Sequence, residues 1–355
     1  MKTALLERQT NRLASDLDHI VAHTAGLWEE LRGQRIFITG GTGFFGAWLL
    51  ESFAWANQEL QLEAQAVVLS RDPAAFLARA PHLGNNGSIH FYQGDVRSFE
   101  FPRGEFSHVI HAATDSGVQA KNSAPLQTLE VIVAGVRRVL DFALGAGARN
   151  FLLTSSGAVY GKQPPELSHL PESYLGAPDV LAAASAYGEG KRVAELLCAL
   201  YHEQHGLETK IARGFAFVGP YLPRDAHFAV GNFIRDALKG GPIQIQGDGT
   251  AQRSYLYAAD LMVWLWTILF RGHACRPYNI GSEEAVSIAQ LADKVRESVN
   301  PAAEIRIAGR LCPGASVQRY VPATERARAE LGLRSVIGLA QSLQSTAEWY
   351  REIST

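Results

Sequence analysis

Short apolar runs alternate with amphipathic stretches along most of this chain. In a first segment Leu13, Leu17, Ile20, Val21, Leu27, Trp28 and Leu31 recur at helical spacing. Residues 4–32 therefore read as one or two amphipathic helices ending near Gly33, packed on the outside of a domain or on a partner subunit. From Arg35 onward strands are expected at 35–39, 64–70, 89–92, 107–112, 150–155 and 208–213, with helical patterns between them, notably at 125–146 and 185–205. This alternation predicts the α/β class: a parallel sheet covered by helices on both faces, with ligands at the C-terminal ends of the strands.

Beyond Phe215 the pattern loosens. Gly219-Pro220 interrupts the chain; a helix is expected at 228–239 and a strand at 242–246, followed by the turn Gly247-Asp248-Gly249. Further helices are expected at 287–299, 323–332 and 338–351. The division expected is a helical extension at 1–33, a first domain at 34–215 with a return segment about 250–280, and a smaller C-terminal α/β domain from 216–249 and 281–355. No internal repeat or low-complexity tract is evident.

Composition narrows the class without naming a chemistry. A chain of 355 residues, 47% hydrophobic with a formal charge of −2, has ample material for a core. Its Lys and Arg residues are scattered, so no nucleic-acid partner is expected. The longest apolar candidate, Leu261–Phe270, falls short of the roughly 18–20 residues that span a bilayer. Charges at Glu7, Arg8, Arg12, Asp16 and Asp18 replace the apolar region of a secretory signal. Cys198, Cys275 and Cys312 lack metal-like spacing and read as reduced thiols. A cytoplasmic enzyme with no metal and no membrane contact is the expectation.

The first strand runs into Gly40-Gly-Thr42-Gly43-Phe44-Phe45-Gly46, and an amphipathic stretch follows. This is the strand, tight turn and helix of a dinucleotide site. A pyrophosphate there lies almost against the backbone, where unpaired N–H groups and the helix dipole favour its charge. Further along, Thr154-Ser-Ser156-Gly closes a buried strand, and Tyr187-Gly-Glu-Gly-Lys191 opens a helical stretch. A Tyr and a Lys four apart share one helix face. A nearby ammonium and a cationic nicotinamide would both favour phenolate, and Ser156 would hydrogen-bond a substrate oxygen and the Tyr187 hydroxyl.

In that order along the chain, these motifs resemble the extended short-chain dehydrogenase/reductases, specifically their nucleotide-sugar epimerase/dehydratase group. The resemblance covers roughly residues 35–350. It rests also on Gly94-Asp95-Val96, Val109-Ile-His-Ala112-Ala113, Val218-Gly-Pro220, Arg253 after the Gly-Asp-Gly turn, and Tyr278-Asn-Ile-Gly281. It implies a Rossmann doubly wound sheet, a Ser156–Tyr187–Lys191 catalytic set and a homodimer built on helices such as 125–146 and 185–205. Cofactor contacts would come from Gly40, Thr42, Gly43, Phe44, Phe45, Gly46, Ser70, Arg71, Asp95, Val96, Ala112, Ala113, Thr114 and Thr154, with Tyr187 and Lys191. The partner implied is a nucleotide-diphosphate sugar. Its candidate contacts are Ser156, Gly157, Ala158, Ala216, His227, Asn232, Gln244 and Arg253, the last suited to hold two phosphate oxygens at once. His111 reads as a satisfied core histidine, and Phe233 fits the core as well as the base pocket.

Departures from the group's pattern shape the expected reaction. The 4,6-dehydratases of this group carry an acid just before Val159-Tyr160-Gly161, and the related sugar-acid decarboxylases a Glu in the same segment; here Gly157 and Ala158 stand there. Neither transfers a proton, so both reactions lose ground to exchange at a carbinol carbon, as in a 4-ketoreductase or a 4-epimerase. The second strand ends in Ser70-Arg71 rather than an acid, with Asp72 next. Arg71 could meet a 2′-phosphate, which favours NADP over NAD; Asp72 in a shifted turn is the alternative. Ala216 and Ile132 stand where the group commonly has Asn, and Gly190 weakens its helix and invites a close backbone approach. A cofactor-binding sensor without turnover, and a reductase of non-nucleotide carbonyls, are the competing readings.

Overall fold

The computed structural model describes residues 11–114, 124–225, 228–310, 314 and 316–353. The apolar runs form β1 (Arg35–Thr39), β2 (Gln65–Ser70), β3 (Ile89–Gln93), β4 (His108–His111), β5 (Asn150–Ser156) and β6 (Glu208–Gly214). With the strand Pro277–Ile280 on the outer edge of β6 they make a seven-stranded sheet, ordered Pro277–Ile280, β6, β5, β4, β1, β2, β3. Every neighbouring pair is parallel. Strand order reverses between β1 and β4, so a crevice opens there at the C-terminal ends of the strands.

Successive residues of β1 serve opposite layers, as the alternation of side chains along a strand requires. Ile36 and Ile38 join one apolar cluster with the helices Ala14–His23, Phe44–Glu59 and Ala258–Arg271. Phe37 joins the other, with the helices Pro125–Gly145 and Ala186–His205. Both faces of the sheet are thus covered. The helix Ala258–Arg271 is buried along its length up to Arg271. Its one carboxylate, Asp260, is satisfied by the backbone N–H groups of Val336 at 2.7 Å and Ile337 at 2.9 Å and by His19 at 2.9 Å. A buried charge is tolerated only when it is paired in this way. Among the described residues no helix is long and apolar enough to cross a membrane.

The helices expected at 228–239, 287–299, 323–332 and 338–351 appear as Ala229–Leu238, Ile288–Val299, Glu325–Leu331 and Leu339–Ile353. Ser287 and Gln290 close a reciprocal capping box on the second of these. Of the N-terminal segment the structure describes Ala14–His23 and a 3-10 turn at Trp28–Leu31; residues before 11 lie outside the described ones. Asp16 accepts a hydrogen bond from Tyr257 at 2.7 Å and Asp18 one from Trp55 at 3.0 Å, so the extension is fastened to the body of this chain. Arg319–Tyr320 runs parallel to Gln252–Arg253, which pairs antiparallel with Val286–Ser287.

Candidate active site

A cavity of about 1050 Å³ lies across the strand C-termini. Its floor begins at the glycine turn. Gly40 has φ +72°, and a Cβ there would sit 2.5 Å from the Ala113 backbone N; one on Gly46 would meet the Gly40 carbonyl oxygen at 2.3 Å. These contacts let the turn and the following helix press against the ends of β1 and β4. Gly43 caps the sixteen-residue helix Phe44–Glu59 without a side-chain partner, leaving its first N–H groups facing the cavity beside Thr42, Phe44 and Phe45. Thr39 joins the two strands by bonding the His111 ring at 2.8 Å and accepting from the Ala113 N–H at 3.2 Å. His111 is fully buried, and burial pulls its pKa down to about 3, so the ring is neutral.

One wall comes from the ends of β2 and β3. Ser70 bonds Thr42 at 3.1 Å, and Ser70, Arg71, Asp95 and Val96 line the cavity with Ala112, Ala113 and Thr114. Asp72 does not line it; its carboxylate accepts from the Ala75 N–H at 3.0 Å and caps the helix Pro73–Leu77. Asp95 is held by Arg97 through two bonds of 2.9 Å, which keep its carboxyl below the ordinary range. The buried hydroxyl of Thr114 has no hydrogen-bond partner among the described residues. A cradle in which two added Cβ atoms would clash, an open helix N-terminus and an orphaned hydroxyl together fit a dinucleotide.

The opposite wall is the end of β5 and the start of the helix Ala186–His205. Lys191 is buried and donates to the Thr154 carbonyl at 2.8 Å, its ammonium 5.9 Å from the centre of the Tyr187 ring. Burial lowers its pKa to about 8, and Glu195, one helical turn further on, works against that shift. Ser156 accepts from the Ala158 N–H at 3.1 Å. Burial raises the pKa of the Tyr187 phenol, and the Ser156 hydroxyl works against that rise. Behind the helix, Gly190 lets it pack on Ile132, whose side chain would lie 3.2 Å from an added Cβ; Ile132 is buried there and does not line the cavity.

Of the residues expected to contact a sugar nucleotide, only some line the cavity. Ala158, Ala216, Phe228 and Arg253 line the cavity. Gly157 does not, because Tyr320 and Phe215 crowd its α-carbon from the cavity side. Asn232 and Gln244 do not line it either: Asn232 accepts a long bond from Arg235 at 3.4 Å, and Gln244 is exposed on the short strand Ile243–Ile245. Phe233 belongs to the core, and His227 lies outside the described residues. Tyr320, Tyr255, Phe215 and Phe217 face the cavity without having been singled out. Tyr320 sits in a two-residue strand, too short to show a period, and only its pairing with Arg253 brings it inward.

The family model for the NAD dependent epimerase/dehydratase family matches residues 36–281. The chain belongs to this family. UDP-glucuronic acid decarboxylase 3 of Arabidopsis thaliana is 32% identical over 325 residues, 89% of each chain. UDP-glucuronic acid decarboxylase 1 of Xenopus tropicalis is 29% identical, over 90% of this chain and 72% of that one. Among solved structures, the dTDP-glucose 4,6-dehydratase DesIV of Streptomyces venezuelae, with NAD bound, superposes with a TM-score of 0.75 at 25% identity, over 90% of this chain and 97% of that one. The curated relatives being decarboxylases reverses part of the sequence reading, which ranked that reaction below epimerisation and reduction on the strength of Gly157 and Ala158.

Proposed function

We propose that this enzyme oxidises a nucleotide-diphosphate sugar at C4, with Tyr187 as the group that takes the C4 hydroxyl proton. The observation that carries this reading is the meeting of Ser156, Tyr187 and Lys191 on one wall of a cavity whose opposite end is built for a dinucleotide. Bound nicotinamide supplies a hydride acceptor and donor. The chain's own residues do the remainder: Ser156 hydrogen-bonds and orients the Tyr187 hydroxyl, Lys191 adds positive charge beside the phenol, and Arg253 holds the diphosphate. We read 34–215 with a return segment about 250–280 as the cofactor portion, and 216–249 with 281–355 as the substrate portion.

UDP-glucuronic acid is the substrate to favour, because the curated relatives are named for it. Gly157 and Ala158 do not stand in its way. A ketone at C4 lies β to the C6 carboxylate, and such an acid loses CO2 with no leaving hydroxyl to protonate. Loss of water across C5–C6 of a 4-keto hexose does need a proton on the leaving C6 hydroxyl, and neither residue supplies it. One observation favours a second reading, epimerisation or 4-keto reduction: among the described lining residues the cations are Arg71 at the cofactor end, Lys191 beside the phenol and Arg253 for the diphosphate, which leaves none for a sugar carboxylate. Incubation with UDP-glucuronic acid, with neutral UDP- and dTDP-hexoses and with their 4-keto-6-deoxy forms decides. Release of CO2 supports decarboxylation, interconversion of sugars or NADPH-dependent reduction supports the second reading, and inertness toward all of them refutes both.

For the cofactor we infer a preference for NADP. Ser70 and Arg71 face the cavity while Asp72 is spent on a helix cap, so the acid that would bind two ribose hydroxyls is lacking at the end of β2 among the described residues. We also propose a homodimer, supported by Leu126, Leu196 and Leu200 exposed on the helices Pro125–Gly145 and Ala186–His205.

A further inference from the structure

Ser156 Oγ lies among three groups. It accepts from the Ala158 N–H at 3.1 Å, it is the group that opposes the burial-driven rise of the Tyr187 pKa, and it lies 3.5 Å from the Tyr320 hydroxyl. The Tyr320 oxygen lies in turn 3.5 Å from the Gly214 carbonyl oxygen. A serine hydroxyl has one proton and two lone pairs. With one lone pair given to Ala158, the other lone pair and the proton are shared out between two phenols.

Two settings satisfy the chain. When Tyr187 carries its proton it donates to Ser156, Ser156 donates to Tyr320, and Tyr320 donates to the Gly214 carbonyl. When Tyr187 is a phenolate every hydrogen turns round: Tyr320 donates to Ser156, and Ser156 donates to the phenolate oxygen. We propose that Tyr320 is a positioning residue that sets the direction in which Ser156 donates, and so holds Tyr187 ready to take a proton. This rests on the reading of Tyr187 given above. In the oxidation the sugar O–H bond breaks as a new O–H bond forms on Tyr187. The C4–H electron pair leaves to the oxidised cofactor, C4–O becomes a carbonyl, and the Ser156 and Tyr320 hydroxyls rotate to the first setting.

Space for this phenol exists because residue 157 is glycine. An added Cβ would lie 2.7 Å from the Tyr320 oxygen and 2.8 Å from the Phe215 ring, which is paired with the Tyr320 ring at 4.6 Å. The missing acid at residue 157 and the phenol at 320 are thus two sides of one packing choice. The titratable groups around the chain are Lys191 beside Tyr187, with His111, Glu195 and Cys198 facing Lys191, and Arg253 and Tyr160 facing Tyr320. Burial raises the pKa of both phenols, and the Ser156 hydroxyl works against that rise at each of them.

The test is Tyr320→Phe, which keeps the ring and removes the hydroxyl, read against Tyr187→Phe with the cofactor bound. Phenolate absorbance, taken as the difference between each protein and its Tyr187→Phe counterpart, gives the titration of Tyr187 without any substrate. We expect Tyr320→Phe to move that titration about one pH unit upward, and to slow turnover about tenfold at neutral pH with recovery in alkali, KM and cofactor affinity holding steady. Gly157→Ala should reproduce the shift, and the double variant Gly157→Ala/Tyr320→Phe should add little to either single one. An unmoved titration and pH profile in Tyr320→Phe, with Tyr187→Phe inactive, overturns the inference while leaving the reading of Tyr187 intact. Full activity in Tyr187→Phe overturns that reading itself.

Discussion

Arg253 and Tyr320 reach the same cavity because they are register partners across two short parallel strands. The Arg253 guanidinium lies 6.0 Å from the Tyr320 ring and is braced by the Gln252 carbonyl at 2.7 Å, which leaves most of its donors for a ligand. Replacing it tests the diphosphate assignment: Arg253→Ala should weaken nucleotide-sugar binding by about 1.5–3 kcal/mol, read by calorimetry, with cofactor affinity unchanged. Arg71→Ala should remove the preference for NADP over NAD, measured as the ratio of the two dissociation constants; an unchanged ratio would assign the discrimination elsewhere. At this scale the shared helix face of Tyr187 and Lys191 was legible from their four-residue step, and Ser156 joined them through the order of motifs along the chain. Tyr320 was not, because nothing in Gln318-Arg319-Tyr320 shows which strand it will lie beside. The bond from Lys191 to the Thr154 carbonyl was not legible either, because no spacing rule reveals a contact between a helix and a strand end.

Among the elements, β4 carries two buried histidines that tie stability to pH. Burial lowers the pKa of His108 to about 4 and of His111 to about 3, both from an ordinary 6.5. Between those values and 6.5 the unfolded chain binds more protons than the folded one, so stability rises with pH across this window and is lost as pH falls through it. The urea midpoint should therefore drop from pH 7 to pH 4, and His108→Phe should flatten part of that slope. A midpoint constant over this range would contradict the burial of these rings as neutral groups. The strands of the sheet were readable from their apolar runs to within a residue or two. The strand Pro277–Ile280 and the short pairings that carry Arg253 and Tyr320 escaped, because strands of two to four residues leave no period to read.

Across the whole molecule, the N-terminal segment and the substrate portion share one apolar cluster that runs from Leu13 to Tyr350. Trp28 is fully buried in it, its ring 4.6 Å from that of Trp266. Trp28→Ala should cost about 3–5 kcal/mol of unfolding free energy, seen as a lower denaturation midpoint, so the extension acts as a structural brace of its own subunit. The α/β class was legible from alternation alone, whereas the fastening of the first helix onto Ala258–Arg271 depends on contacts such as His19 with Asp260, some 240 residues apart. The central claim concerns Tyr187, and it is tested most directly by mixing cofactor-loaded protein with UDP-glucuronic acid or whichever nucleotide sugar turns over. The quantity to follow is the absorbance of reduced cofactor within a single turnover, in the protein and in Tyr187→Phe. The account predicts reduction in the first and a rate at least about 100-fold lower in the second, with the cofactor still bound. Equal rates in the two proteins would contradict it.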